Sequence, residues 1–396
     1  MPRESTAWPT AQALWITARG WAEAAQQRLG AAWIVTPDGI WNPRQIPVAA
    51  AAAAGRRPWA LPVVLQTLAK DLRLRRRQRG FRVPATGPWS DSEVALVWEH
   101  HDLFNRAGRR FATAAGAPLV RYVHAPQVWE AAKWGVRRPL WGRLLEAGER
   151  RLLRDADLVA CVSAMVRDRL VATGIDPARL LVAPMGVDAD VFSPRGDTAR
   201  GRLGIPPSAV VVGWCGSFRP FHGLDRLLAA FADAARSAPE LHLLLLGDGP
   251  SRGALETLAA ELGITGRVTF AGVQPHAEMP RHLRAMDVAV VSSDGRGGFH
   301  YSPLKLREYA ACGLPVVAPN EGELAELGDA GFLTLHQPGS RAGLTGAILA
   351  LAGDAPSRER RGAAARAHVL EHWTWRVQLD RVLARLAALD LRPGGR

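Results

Sequence analysis

Lysine is almost missing from this chain: Lys70, Lys133 and Lys305 are the only three, and the other 47 basic residues are arginine. Cysteine is as scarce. Cys161, Cys215 and Cys312 are too few and too scattered for a disulfide framework or a zinc cluster. Their apolar neighbours mark them as small buried hydrophobes in a reducing compartment. Long apolar runs are absent too. Uncharged stretches such as Leu203–Phe218 and Gln45–Gly55 fall short of the roughly 20 apolar residues of a spanning helix, and Pro or Gly breaks both. The start, Met1-Pro-Arg-Glu, sets one basic residue beside an acid, with no small-residue cleavage site before Arg19. Neither a signal peptide nor a membrane anchor is therefore expected, and the expected location is cytoplasmic. A Gly-x-Ser-x-Gly elbow, a fixed-period repeat and a zinc-like Cys/His spacing are all lacking.

What is present is the balance of a globular protein. The 396 residues suggest two to three domains, and 48% hydrophobic with 22% charged residues excludes a disordered or fibrous chain. The formal charge of +13 invites a nucleic-acid or anionic-membrane partner. Arginine in place of lysine, Ala- and Gly-rich text and six consecutive alanines (Ala49–Ala54) point instead to the coding bias of a GC-rich, bacterial genome. Charge alone decides nothing, and no nucleic-acid partner is expected. Two segments concentrate it: 70–82, with seven cations in thirteen residues, and 137–154, where Leu140, Trp141, Leu144, Leu145 and Leu152 interleave with arginine. Attachment to an anionic membrane surface on the cytoplasmic face and a solvated arginine-rich face are both open readings of these segments.

The patterning divides into two α/β halves. In the second, apolar runs at Val210–Cys215, Leu241–Leu246, Val268–Gly272, Val288–Ser292, Pro315–Ala318 and Gly331–Leu335 read as strands. Between them Leu224, Leu227, Leu228 and Phe231 recur at i, i+3, i+4 and i+7, one buried helical face. Short apolar strands alternating with helices predict a parallel sheet covered on both sides. The first half repeats the scheme more loosely, with strands expected at Ala13–Thr17, Ala32–Thr36, Val94–Trp98, Leu119–His124, Leu158–Ser163 and Leu180–Ala183. A polar Pro/Gly-rich stretch from Ser193 to Pro207 reads as the linker. The expectation is two doubly wound domains facing across a cleft, with ligand at the carboxyl ends of the strands.

Phe218–Gly223 with its helix, Leu246-Gly-Asp-Gly-Pro, Val268-Thr-Phe-Ala-Gly, Met286-Asp-Val-Ala-Val-Val-Ser-Ser and Ser302-Pro-Leu-Lys-Leu-Arg-Glu-Tyr follow one another at strand ends. In this order they resemble family 4 retaining glycosyltransferases of the GT-B fold. Trp98-Glu-His-His-Asp, Tyr122-Val-His-Ala-Pro and Ala183-Pro-Met-Gly-Val-Asp extend the likeness into the first half. The resemblance runs from about residue 90 to the end. It implies an N-terminal acceptor-side domain (1–195), a C-terminal nucleotide-sugar domain (196–372), and a helix (373–396) crossing back to the first domain.

The resemblance also implies roles. Arg219 and Lys305 would hold the donor diphosphate, with Ser302 and Leu306 beside them and Glu308 accepting from the ribose hydroxyls. A helix start with free N–H groups suits a phosphate. His124 would face the transferred sugar. His300 stands where the family usually has a sugar-gripping glutamate, and is the second donor-sugar candidate. Glu99, His100 and His101 are candidate acceptor contacts, or a loop capping the following helix. Lys305 and Glu308 would otherwise form an ordinary i, i+3 salt pair on a solvated helix. Asp155/Asp157 and Asp188/Asp190 have the spacing of an Asp-x-Asp metal site but follow a helix end and a turn. The fold implied works without a metal or any cofactor beyond the donor substrate. The expected activity is therefore a retaining glycosyltransferase moving a sugar from a nucleotide-diphosphate donor to an unidentified acceptor, lipid-linked or small. Two alternatives stand beside it: a catalytically silent GT-B binding module at a membrane or nucleic acid, and a sugar-nucleotide epimerase.

Overall fold

A computed structural model describes residues 13–44, 62–133, 135–295 and 303–391. The chain divides into two units: Met1–Met185 with Trp375–Arg396, and Gly186–Phe299 with Pro303–Thr374.

The first unit opens with the helix Ala13–Leu29, followed by a hairpin of β1 (Ile34–Thr36) and β2 (Gly39–Trp41). Its sheet is four parallel strands in sequence order, β3 (Val97–His100), β4 (Leu119–Val123), β5 (Leu158–Cys161) and β6 (Leu180–Val182). The expected strand Ala13–Thr17 is instead the start of that first helix. A short apolar run reads the same as strand or helix by periodicity, and here the alanine-rich continuation to Leu29 settles it.

The C-terminal helix Trp375–Ala388 belongs to this unit and lies on the helix Ala13–Leu29. Gly20 makes the approach possible: a Cβ there would fall 2.2 Å from the Trp375 ring. Arg28 Nε donates to Asp380 at 2.9 Å across the same seam. Under it Trp21 packs against Trp98 (4.1 Å between centroids), Tyr122 (5.3 Å) and Trp375 (5.5 Å). Such aromatic pairs each add about 0.5–1.5 kcal/mol beyond the area they bury.

The second unit carries a six-stranded parallel sheet of β7 (Val210–Cys215), β8 (Leu241–Leu246), β9 (Val268–Gly272), β10 (Val288–Val290), β11 (Val316–Pro319) and β12 (Leu333–His336). Their spatial order is β12-β11-β10-β7-β8-β9. Counted within the unit this is the 3-2-1-4-5-6 order of a doubly wound sheet, with its switch point between β7 and β10. All six residues of β8 are buried, as strands covered on both faces must be. The helix Leu224–Ser237 buries Leu224, Leu227, Leu228 and Phe231 against this sheet. Each such side chain stabilises by roughly 1.5–3 kcal/mol.

The boundary expected at 195 falls after Met185. Arg366 holds the carbonyls of Ala189 and Phe192 (both 2.8 Å), and Arg284 that of Ser193 (3.2 Å), which fastens this stretch to the second unit. The expected linker is likewise anchored: Arg200 bonds the carbonyls of Ala285 (3.0 Å) and Ala209 (3.1 Å). A polar composition shows no such capture of backbone carbonyls by distant arginines.

Candidate functional site

The second unit gathers its polar groups at the switch point. The loop after β7 is stitched to the loop after β8: Gly216 N donates to Leu246 O (2.9 Å), Phe218 N to Asp248 O (2.9 Å) and Ser251 N to Phe218 O (3.1 Å). The loop after β10 joins them, with Ser292 Oγ donating to His222 O (2.6 Å) and Asp294 N to Phe221 O (3.1 Å). Irregular backbone near a sheet end must satisfy its own hydrogen bonds, and these do so while fixing the loops' shape.

The helix Leu304–Ala311 points its start at this place, with Pro303 at the N-cap. It is held from behind. Tyr309 Oη accepts from Cys215 N at the end of β7 (2.7 Å). Arg307, fully buried, pairs with Glu323 and lies 4.4 Å from the Trp373 ring centroid. Lys305 Nζ sits 3.8 Å from the centroid of the Trp214 ring. Burial pulls its pKa down to about 8, opposed by the neighbouring Cys215 and Glu308. Gly216 leaves the ammonium its room: a Cβ there would lie 2.9 Å from Nζ, at a φ of +146°. His222 packs edge-on to Trp214 at 5.3 Å, and burial, then the cations Lys305 and Arg219, push its pKa down to about 2. It is a neutral imidazole.

Glu308 does not pair with Lys305. Its Oε1 meets His276 Nε2 at 3.1 Å, and the His276 ring rests 5.3 Å from that of Phe192. Arg219 is exposed on the loop after β7, with no acidic partner among the described residues. The structure therefore brings Lys305, Glu308, Arg219 and His222 to one sheet end. Leu306 is fully buried, and its N–H already donates to Pro303 O (3.0 Å). His300 and Ser302 lie outside the described residues.

In the first unit, His100 at the end of β3 and His124 just past β4 stack at 5.9 Å, with Tyr122 5.1 Å from His124. Burial lowers the pKa of His124 to about 4 and holds His100 well below the ordinary value, each with its neighbours contributing less. His124 Nε2 and both ring nitrogens of His100 are buried without a hydrogen-bond partner among the described residues.

Glu99 and His101, expected beside His100 as acceptor contacts, turn inward. Glu99 pairs with buried Arg121 (2.8 Å) and accepts from Gly108 N (2.8 Å), starting the next helix. Burial raises its pKa, against the pull of Arg121. His101 Nε2 meets Glu149 at 2.9 Å, both side chains buried, and Glu149 also accepts from Gln127 N (2.6 Å). These are structural pairs. A polar run after a strand predicts exposure at the mouth, but consecutive residues point opposite ways and partners distant in sequence claim the inward ones.

The Asp-x-Asp pairs are likewise employed in local structure. Asp157 accepts from Leu119 N (2.8 Å) and pairs with Arg109 (3.0 Å), and Asp188 accepts from Asp190 N (3.0 Å) and Val191 N (3.1 Å). Among the described residues no cluster of three or more His, Cys, Asp or Glu could hold a metal ion, and no helix is long and apolar enough to cross a membrane. The two Arg-rich segments are joined: Asp71 accepts from Arg138 Nε and Trp141 Nε1, each at 2.8 Å.

Two residues of the switch-point site carry weak sequence signals. Trp214 is one apolar letter in a buried strand. His276 could have been singled out by the logic that chose His124, because it follows a strand end directly after Gln-Pro.

Comparison with known proteins gives the same architecture. A family model described as glycosyl transferases group 1 matches residues 209–354, and one described as glycosyltransferase family 4 matches residues 16–191. The D-inositol 3-phosphate glycosyltransferase of Thermomonospora curvata is 31% identical over 309 residues, covering 73% of this chain and 70% of that protein. The protein of the same name from Segniliparus rotundus is 33% identical over 246 residues, 58% of this chain and 52% of its own length. A GDP-mannose-dependent alpha-(1-6)-phosphatidylinositol monomannoside mannosyltransferase of Mycolicibacterium smegmatis is 34% identical over 237 residues, 58% of this chain and 62% of that protein. The chain thus spans little more than half the length of the last two relatives. Among solved structures, sucrose-phosphate synthase from Thermosynechococcus elongatus superposes with a TM-score of 0.65 at 21% identity, covering 95% of this chain and 93% of that one. Anabaena HepE in complex with UDP superposes with a TM-score of 0.60 at 22% identity, covering 71% and 75%. The fold is GT-B.

Proposed function

The chain belongs to glycosyltransferase family 4, and from that premise we propose that it transfers a sugar from a nucleoside-diphosphate sugar to an acceptor hydroxyl with retention at the anomeric carbon. The observation that carries the reading is Lys305: an ammonium beside Trp214 at the start of a helix, at the switch point of a doubly wound sheet, with its pKa lowered to about 8. A cation held at that cost to its own charge is suited to an anion that arrives and grows in charge. The helix start and Lys305 would take the diphosphate, with Arg219 beside them. Glu308 would exchange its contact with His276 for the ribose hydroxyls. In the transfer step the bond from the anomeric carbon to the diphosphate oxygen breaks and the bond to the acceptor oxygen forms on the same face. The acceptor's proton passes to the departing phosphate oxygen, and preorganised positive charge stabilises that leaving group. His124, neutral at working pH, is the first unit's candidate contact for the sugar.

HepE's complex with UDP and the mannosyltransferase's GDP-mannose make UDP- and GDP-sugars the first donors to test. For the acceptor, the inositol phosphate and phosphatidylinositol mannoside in the relatives' names favour a phosphorylated or lipid-linked polyol. The joined Arg-rich segments, with Leu72, Leu140 and Leu144 exposed, would bring the first unit to an anionic membrane. Thermal-shift measurements against UDP-, GDP- and dTDP-sugars test the donor reading. The cognate donor at 100 times its dissociation constant is expected to stabilise by about 2.7 kcal/mol. No shift with any of them, together with no transfer or hydrolysis, would defeat it.

A further inference from the structure

The first unit contains a cavity of about 570 Å³, within the size range of small-molecule sites and distinct from the switch-point site of the second unit. One wall is the helix Ala13–Leu29, where Ala18, Ala22 and Ala25 stand at i, i+4 and i+7 and leave room by being small. Trp21 of the same helix, Trp98 on β3, an edge strand of its sheet, and Trp89 from the chain before that strand complete the aromatic part of the lining. The lining is mostly apolar, yet it is not complete in itself. The indole N–H groups of Trp21, Trp89 and Trp98 and both ring nitrogens of His100 are buried there with no hydrogen-bond partner among the described residues. Buried donors without acceptors are rare in native proteins and ask for an explanation. An apolar void of this size also forfeits contacts that close packing would supply.

The charge around the cavity narrows the choice. Of the carboxylates on its wall, Glu99 is neutralised by Arg121 and Glu93 faces solvent. A second pocket adjoins it, sharing Val35, Thr36 and Phe81, and is lined by Arg77, Arg82 and Asp38; the Asp38 carboxylate lies 3.7 Å from Arg77, and the second guanidinium leaves the pocket net positive. An occupant that fits needs a long apolar body, acceptor oxygens near its head and a negative charge at one end.

We propose that this cavity binds the hydrocarbon tail of an anionic amphiphile, with its head oxygens on the indole N–H groups and its charge at Arg77 and Arg82. The site stands apart from the donor site and does not depend on the transferase reading. Cis-parinaric acid, an anionic polyene fatty acid that accepts energy from indoles, is the probe. Titrated into the full chain below its critical micelle concentration, it is expected to give saturable transfer at one molecule per chain. Palmitate and lysophosphatidic acid are expected to compete, and glycerol 3-phosphate is not. Ala22→Phe with Ala25→Phe is expected to weaken binding about tenfold, as when roughly two methylene groups lose their place, while nucleoside-diphosphate binding stays unchanged. Trp98→Phe, which keeps a ring and deletes the N–H, provides a second, milder variant and is expected to weaken binding a few-fold. Absence of transfer, transfer that does not saturate, competition by glycerol 3-phosphate, or affinity indifferent to both variants would each overturn the proposal.

Discussion

The two units solve the same folding problem with different materials. The second builds six strands in doubly wound order from continuous apolar runs, and its polar residues collect where the strand order reverses. The first has a four-stranded sheet beside a small hairpin, a tryptophan-rich core and a cavity beside its edge strand, and its polar residues near the strand ends are divided between exposed and inward roles. In a regular sheet, position in the fold singles out candidate site residues almost by itself. Where the sheet is short and irregular, position is insufficient, and partners decide.

The sharpest way to break that comparison is Glu99→Ala. Removing one partner of a buried ion pair leaves Arg121 charged and unpaired, so the variant is expected to lose about 3–5 kcal/mol of stability in urea denaturation. Nucleotide binding by the remaining folded protein is expected to hold. An acceptor-contact role would show the opposite pattern, with stability intact and the acceptor Michaelis constant raised.

The next effect belongs to the second unit. Lys305→Ala is expected to lower turnover more than donor binding, by about 1.5–3 kcal/mol in kcat/KM, because it removes charge stabilisation that grows in the transition state. Glu308→Ala, losing a contact made equally in ground and transition states, is expected chiefly to raise the donor's Michaelis constant. Steady-state rates at several donor concentrations separate the two, and near-wild-type kinetics in both would remove these residues from the site.

The regular half was legible in its sequence for a physical reason. Burial on both faces forces continuous apolar strands, so Val210–Cys215 and Leu241–Leu246 stand out and the residues just past them are ordered by topology. The place of Glu308 and Lys305 at the sheet end was readable for the same reason, but not their partners: the ring of Trp214 and the contact with His276 come from residues 91 and 32 positions away. In the first half Ala13–Thr17 was ambiguous between strand and helix. The inward turn of Glu99 and His101 depends on Arg121 and Glu149, which nothing local announces.

A smaller effect sharpens the account through pH. Lys305 titrates near 8 when folded and near 10.5 when unfolded, so below pH 8 the folded chain bears the full cost of keeping it charged. Between pH 8 and 10.5 the unfolded chain binds the proton that the folded chain has released, and stability rises with pH there. The melting temperature of Lys305→Met is therefore expected to exceed that of the wild type at pH 7, with the gap closing towards pH 10. Donor kcat/KM is expected to fall above pH 8 as the free enzyme loses this charge.

The central claim is that Lys305 and the helix start hold a diphosphate, and calorimetric titration with UDP and UMP, or GDP and GMP if the guanine donor proves cognate, tests it most directly. In the wild type the diphosphate is expected to bind more tightly than the monophosphate by about tenfold or more, the worth of a charged hydrogen bond. Lys305→Ala is expected to erase most of that gap while leaving monophosphate affinity nearly unchanged. A gap of the same size in both proteins would contradict the assignment.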